Sequence, residues 1–347
     1  MRKGMWWLVG GVAVGGLAIA AARRRQALRA QRSRNSDIHV LILGAGVVGS
    51  TYAAHLARWG MDVTVLARGQ RLQQITNQGL RVEDAITRRR EVPRVHLVTA
   101  VSPEDSYDLV IVAVRYSQAL EALDAVKPVA DTSPVLILQN NPAGPELLAE
   151  RLGERHLLMG FPGTGGRLTD GLVTSWPLWL SRTIVGESDG TDTQRLHLVA
   201  SILRGAGLKI EVERHIVAWL QTHAAMIAAL AACAYRNGGH VRRVAGNVQE
   251  ARLYLGAVRE AYAVLEANGI PLIPPAERKL LERPLPQQVA LLRAAAYFPW
   301  ASLLIDSHLA AAPEEMRALY DHIMLMAERA NVSTPLLSSL APFMRGE

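Results

Sequence analysis

The sequence predicts an α/β architecture, a doubly wound sheet followed by an all-helical domain, and three observations carry that prediction. A strand-length apolar run at residues 38–43 (IHVLIL) leads at once into a glycine-rich turn, an apolar-periodic helix and a second strand at 62–66 (DVTVL). Two further runs, 108–114 (DLVIVAV) and 134–138 (PVLIL), are almost wholly apolar, as parallel strands covered on both faces should be. After Glu213 the periodicity turns helical and stays so nearly to the C-terminus.

The chain of 347 residues has room for two domains and an appendage. We divide it into a leader and basic linker (1–36), an α/β domain (37–212) and a helical domain (213–347). The formal net charge of +7 invites a nucleic-acid partner, but its distribution excludes that class. Arg2, Lys3, Arg23, Arg24, Arg25, Arg29, Arg32 and Arg34 all precede the folded region, which is itself close to neutral. The single cysteine, Cys233, cannot form an intrachain disulfide and reads as a core thiol in an Ala-rich run. The ten histidines are scattered and no metal-type cluster is visible, so no metal is expected.

Residues 5–22 (MWWLVGGVAVGGLAIAAA) carry no charge, open on Trp6 and Trp7, and are closed by Arg23-Arg24-Arg25. As a helix they would rise about 27 Å, barely the hydrocarbon thickness of a bilayer. Interfacial tryptophans and flanking arginines suit a single N-terminal anchor, leaving the folded part on the cytoplasmic face of a membrane. A cleaved signal peptide, with Ala18-Ile19-Ala20 resembling a cleavage site, and a plain glycine-rich tail on a cytoplasmic protein stay open. Residues 26–36 read as a polar, basic linker.

The turn Gly44-Ala45-Gly46-Val47-Val48-Gly49 gains its meaning from the strand before it and the helix after it. In this context Gly44 permits the tight turn, Gly46 lets a pyrophosphate approach the backbone, and Gly49 allows close packing of helix on strand. The amides opening the helix then face the phosphates. This is a Rossmann-type dinucleotide site. An NAD site usually ends its second strand in an acidic residue for the ribose 2′-hydroxyl. Here Ala67-Arg68-Gly69-Gln70-Arg71 follows. Arg68, with Arg71 as a further candidate, suits a 2′-phosphate, so the expected cofactor is NADPH; a merely solvated arginine is the alternative.

Ligands of open α/β sheets sit beyond the carboxyl ends of strands. Arg115-Tyr116-Ser117-Gln118 and Gln139-Asn140-Asn141 occupy those places. A strand is expected at 182–185, a helix at 193–205 and a short strand at 208–212. Helices follow at 216–235, 248–268, 284–296 and 313–330. The last starts on Pro313, with Glu314 and Glu315 in its first turn, where the helix dipole favours acidic residues whatever their function.

Together the ILGAGVVG opening, LAR after the second strand, VAVRYSQ, LQNN, GFPGTGGRLTDG and SLLIDSHLAAAPEE resemble the ketopantoate reductase (2-dehydropantoate 2-reductase) family over roughly residues 38–343. The resemblance implies that Arg68 selects NADPH, that Arg115 and Gln118 bind cofactor, and that Asn140 lies near the nicotinamide. It also implies that Ser302, Asp306 and Glu314 line or support the substrate site. The family carries W-x-K-x-x-x-N-x-x-x-N on the first long helix of its second domain, with the lysine as proposed general acid. Here Gln221 replaces the lysine, Ala225 and Ala229 replace the asparagines, and Pro299 replaces an asparagine near the serine. Glutamine can hydrogen-bond a carbonyl but supplies no proton. His223 titrates, yet two positions along a helix it projects about 200° from Gln221.

The expected function is NADPH-dependent reduction of a 2-oxoacid such as 2-dehydropantoate, on a pocket whose face the two alanines make small and apolar. Asn140, Glu314 and Gln221 are its catalytic candidates. The alternative is an NADPH-binding protein tethered to a membrane through residues 5–22 and without turnover. A 3-hydroxyacid dehydrogenase of similar layout also needs a helix lysine and gains nothing from this sequence. Expected partners are a small carbonyl substrate and the membrane, with a homodimer left open.

Overall fold

The computed structural model describes residues 26, 30–153, 157–298 and 301–345, with 302 and 303 by backbone alone. The anchor expected at 5–22 lies outside the described residues. The main sheet contains β1 (His39–Leu43), β2 (Asp62–Leu66), β5 (His96–Val98), β6 (Leu109–Val112), β7 (Val135–Leu138), β8 (Leu157–Phe161), β11 (Arg182–Glu187) and β12 (Lys209–Val212). Their spatial order is β12-β11-β8-β7-β6-β1-β2-β5. Pairing is parallel throughout, except that β11 runs antiparallel to β8.

Why the central strands read as unbroken apolar runs is visible in how their side chains divide. Val40 and Ile42 of β1 and Leu136 and Leu138 of β7 enter one core, shared with Tyr52, Leu56 and Leu203. Their alternate neighbours Leu41, Leu43, Val135 and Ile137 enter a second core on the opposite face, with Leu123, Ile216 and Leu220. Period-two alternation with both faces covered leaves no place for a polar residue.

A second, smaller sheet was not foreseen as such. It orders β4 (Arg90–Glu91), β3 (Arg81–Asp84), β10 (Leu172–Ser175) and β9 (Gly166–Thr169). The β3 sequence, RVED, has a single apolar residue and therefore no periodicity to betray it.

The stretch 26–36 is not a loose linker in its described part. Residues 30–35 are helical, and the side chain of Asn35 is buried. Its Nδ2 donates to Trp59 O (2.9 Å) and Gly205 O (3.2 Å), the carbonyls left unpaired as two helices end. This short helix enters β1 from its N-terminal end, opposite the carboxyl ends of the strands.

In the helical half, the helix Ile216–Arg236 is surrounded by Val248–Ala267, Pro313–Arg329 and Pro335–Arg345. Ala224, Ala225, Ala228, Ala229, Ala231 and Ala232 are all buried along it, and such small side chains let neighbouring helices approach closely. The helix has the length and apolarity of a membrane span, but two thirds of its apolar window is buried inside the protein, as for a core helix. Cys233 is buried there, and burial pushes its thiol up to about 12, which fits an inert core thiol.

His55 ties the glycine-loop helix (Val47–Arg58) to the turn after Gln194–Gly205. Its Nε2 lies 2.8 Å from Ala206 O, and Arg58 Nη2 lies 3.0 Å from its Nδ1. A neutral ring satisfies both contacts; burial, reinforced by the Arg58 charge, lowers its pKa from 6.5 to about 4. Because the folded state resists protonation, this contribution is complete above pH 6.5 and is lost as pH falls from there to about 4. We expect acidification from pH 7 to pH 5 to remove about 2 kcal/mol of stability through His55. Denaturant titrations at the two pH values should show a loss smaller by that amount in His55→Gln.

Candidate functional site

The glycine loop separates into glycines that the fold itself requires and one that it does not. Gly44 has φ +101°, and a Cβ there would stand 2.6 Å from Ala113 O. A Cβ on Gly49 would lie 1.8 Å from Gly44 O. On Gly46 it would meet nothing within 4 Å. The first two are therefore dictated by close approach of helix, turn and β6, whereas Gly46 borders open space in front of the loop. The helix starting at Val47 has no side-chain cap and no acidic residue in its first turn, leaving its amides and positive dipole end for an anion. The residues present fit a dinucleotide pyrophosphate.

The two arginines after β2 have different tasks. Arg71 reaches under the loop: its Nε donates to Ala45 O (2.7 Å), Nη2 to Ser50 Oγ (3.2 Å) and Nη1 to Gly171 O (3.1 Å). It braces the loop, and this removes it as a phosphate ligand. Arg68, at the cap of Gly69–Gln78, is exposed and has no partner among the described residues.

Beyond β6, Arg115 and Gln118 are both exposed, with Gln118 closing the single 3₁₀ turn Tyr116–Gln118. Arg115 Nη2 donates to Ala311 O (2.6 Å), so it bridges to the helical half. Beyond β7, Asn140 Nδ2 donates to Glu315 Oε1 at 2.9 Å. Gln221 Nε2 donates to Pro142 O at 3.3 Å. All three contacts cross between the domains. Asn140, Gln221 and Glu315 are 7%, 8% and 4% exposed, so the cleft is closed over them. Asn141 shapes the loop between them, its Oδ1 accepting from Ala143 N and Gly144 N and its Nδ2 donating to Gly144 O.

The acidic residue in this cluster is thus Glu315, where Glu314 was expected. Helical periodicity explains the shift. Glu315 shares a face with Leu319, Ile323 and Met326, all buried against the domain, while Glu314 points to solvent. Carrying the 3.6-residue repeat back from Leu319 was the signal that would have found it.

Other expected residues fall elsewhere. Ser302 begins the π-helical turn Ser302–Asp306, and its side chain lies outside the described residues, as does Pro299. Asp306 Oδ1 accepts from Val241 N (3.1 Å), and Oδ2 is 3.3 Å from His240 Nδ1, so this carboxylate holds the start of Val241–Gly246. Ala225 and Ala229 are fully buried in the helical core and do not widen a pocket. The half-buried His223 ring lies 4.2 Å from the Phe161 ring and stacks on Trp219 at 5.3 Å. Burial, with His308 adding to it, lowers its pKa to about 4, so it is neutral at pH 7. Among the described residues no His, Cys, Asp and Glu cluster suits a metal.

Fold and loop together define a two-domain protein of the dinucleotide-binding class. Residues 40–187 match the family described as ketopantoate reductase PanE/ApbA, and 216–346 match its C-terminal domain. The chain belongs to the ketopantoate reductase family. It is 33% identical over 210 residues to a 2-dehydropantoate 2-reductase of Archaeoglobus fulgidus, covering 58% of this chain and 67% of that one. A Halobacterium salinarum relative of the same name is 26% identical over 89% and 98% of the two chains. The match to the Pyrococcus horikoshii relative, at 29% identity, spans only 58% of that protein's length. Among solved structures, 2-dehydropantoate 2-reductase from Geobacter metallireducens superposes with a TM-score of 0.72 at 21% identity, over 89% of this chain and 99% of that one. The D-mandelate dehydrogenase complex with NADH and anilino(oxo)acetate also gives 0.72, at 16% identity and over 89% and 97%. At these identities the structural likeness concerns the fold.

The glycine geometry makes a contrast that can be measured. Gly49→Ala should destabilise the protein by at least about 1–3 kcal/mol through overpacking. Gly46→Ala should leave the unfolding midpoint essentially unchanged, yet weaken dinucleotide binding about tenfold or more by obstructing close backbone approach. Thermal melts and a fluorescence binding titration read the two effects separately.

Proposed function

We propose that the protein is an NADPH-dependent reductase of a 2-oxoacid, the substrate class that includes 2-dehydropantoate. The observation that carries this reading is the buried Asn140–Glu315 hydrogen bond, which joins the two domains directly beyond β7. A carbonyl held there lies at the carboxyl ends of the strands, in the cleft between the domains. When bound, NADPH supplies the hydride. Arg68 would hold its 2′-phosphate, the loop 44–49 its pyrophosphate, and Arg115 and Gln118 would add contacts once Arg115 releases Ala311 O.

The reduced carbonyl oxygen also needs a proton. Gln221 can orient that oxygen through its amide N–H but cannot give the proton up. We assign delivery of that proton to Glu315, the carboxyl group hydrogen-bonded to Asn140. Replacing a positioned acid in this way costs about 10²–10⁴ in rate, so slow turnover is part of the proposal. Gln221 in the lysine's place also favours a second reading, cofactor binding without turnover.

The uncharged segment 5–22 and the arginines behind it support an N-terminal anchor with the folded part in the cytoplasm. Because residues 30–35 meet β1 at its N-terminal end, such a tether joins the fold at the end of the sheet opposite the cleft. Carbonate extraction of membranes should retain the protein; release into the soluble fraction overturns the anchor.

Arg68→Ala should weaken NADPH binding about tenfold to a hundredfold, the worth of a charged hydrogen bond, and leave NADH binding unchanged. Equal affinity of the wild type for NADH and NADPH would overturn the cofactor assignment. In an NADPH-oxidation assay over a panel of 2-oxoacids, Gln221→Lys should raise kcat at least about tenfold. Tight NADPH binding with no turnover on any member, in wild type and variant alike, leaves the second reading standing.

A further inference from the structure

Gln139 is the buried group for which neither the fold nor the proposed chemistry provides a use. It stands directly beyond β7 and is 5% exposed, and neither its Nε2 nor its Oε1 has a hydrogen-bond partner among the described residues. Its neighbour Asn140 commits Nδ2 to Glu315, while its Oδ1 is likewise buried and unpaired. Asn141, by contrast, satisfies its amide within its own turn. Leaving a buried polar atom unpaired costs about 1–3 kcal/mol, and folded proteins retain few of them. Three on two consecutive residues, at the strand ends of a dinucleotide fold, call for a ligand.

The chemistry of the orphaned group narrows that ligand. A primary carboxamide presents a donor and an acceptor side by side, and a second carboxamide returns one of each. A substrate carboxylate, which only accepts, would satisfy Nε2 and set its lone pairs against Oε1. We propose that Gln139 pairs reciprocally with the carboxamide of the nicotinamide ring, making it the residue that recognises that end of the cofactor. Asn140 Oδ1 accepts a further donor beside it. As the protein stands the amide is covered, so the ring reaches it through a movement that uncovers it. The inference rests on the nicotinamide-cofactor reading above and adds to it the group that reads the ring.

The probe is NADPH against its 3-acetylpyridine analogue, in which a methyl group replaces the amide nitrogen. Binding is followed by fluorescence titration, and ligand-free stability by thermal melts, for wild type, Gln139→Leu and Gln139→Met. Wild type should prefer NADPH about tenfold, the worth of one hydrogen bond at a buried amide. Both variants should bind NADPH about tenfold more weakly and lose the preference. Their ligand-free melting temperatures should equal or exceed that of wild type, because an unpaired amide has been removed. A structural role for Gln139 gives the opposite pattern, lower melting temperatures or failure to fold in both variants with the preference kept, and overturns the proposal. Equal binding of the two nucleotides by wild type overturns this inference alone. Failure of wild type to bind any nicotinamide nucleotide overturns the cofactor reading and this inference with it.

Discussion

Two-sided burial of the parallel strands is the constraint on which the rest of this structure depends. Every residue of β6 and β7 is buried, and alternate side chains enter different cores. Nothing polar can project from such strands without losing its hydrogen bonds. The chemistry is therefore expelled to the strand ends, and the carboxyl ends of β1, β6 and β7 carry the glycine loop, Arg115 and Asn140. Close packing of the first helix follows from the same constraint: to cover the sheet it must pass so near the turn that Gly49 has no room for a Cβ. The free amides at its start are a by-product of that approach, and an anion site arises without any dedicated side chain.

The helical half answers a similar demand in another way. Its central helix is hidden by neighbours on most sides, and its run of alanines keeps the interaxial distances short. At positions 225 and 229 this packing is complete, and both alanines belong to the helical core. Gln221 is the polar group left on that helix stripe, and it hydrogen-bonds a loop carbonyl of the other domain. Gln221 thus contributes to holding the domains together.

What could be read from the sequence was whatever has a short physical period. The apolar strands, the glycine spacing and the long helices are local patterns, and the structure places them within a few residues of expectation. The residues that escaped depend on partners distant in the chain. Nothing near Arg71 reveals that its guanidinium ends beneath Ala45 and against Gly171. Asn35 looks like one more polar residue in a basic stretch until Trp59 and Gly205 are brought to it. Glu314 and Glu315 differ by one position in sequence and by about 100° around the helix, enough to separate solvent from cleft. Matching a spacing counts residues, whereas a helix face counts angle, and the two disagreed here.

The closed cleft gives Gln221 a structural part. Among the described residues three side-chain hydrogen bonds cross it, the neutral one from Gln221 with a net worth of about 1 kcal/mol and the two that involve Arg115 or Glu315 about 1.5–3 kcal/mol each. A ligand that supplies equivalent partners can therefore open the cleft at small net cost. Position 221 carries a neutral amide in this closed arrangement. With glutamine there, Glu315 accepts from Asn140 and has no cation within ion-pair distance among the described residues. Gln221 therefore fastens the closed cleft without placing a charge in it, its amide spending a donor on Pro142 O and having no proton to release.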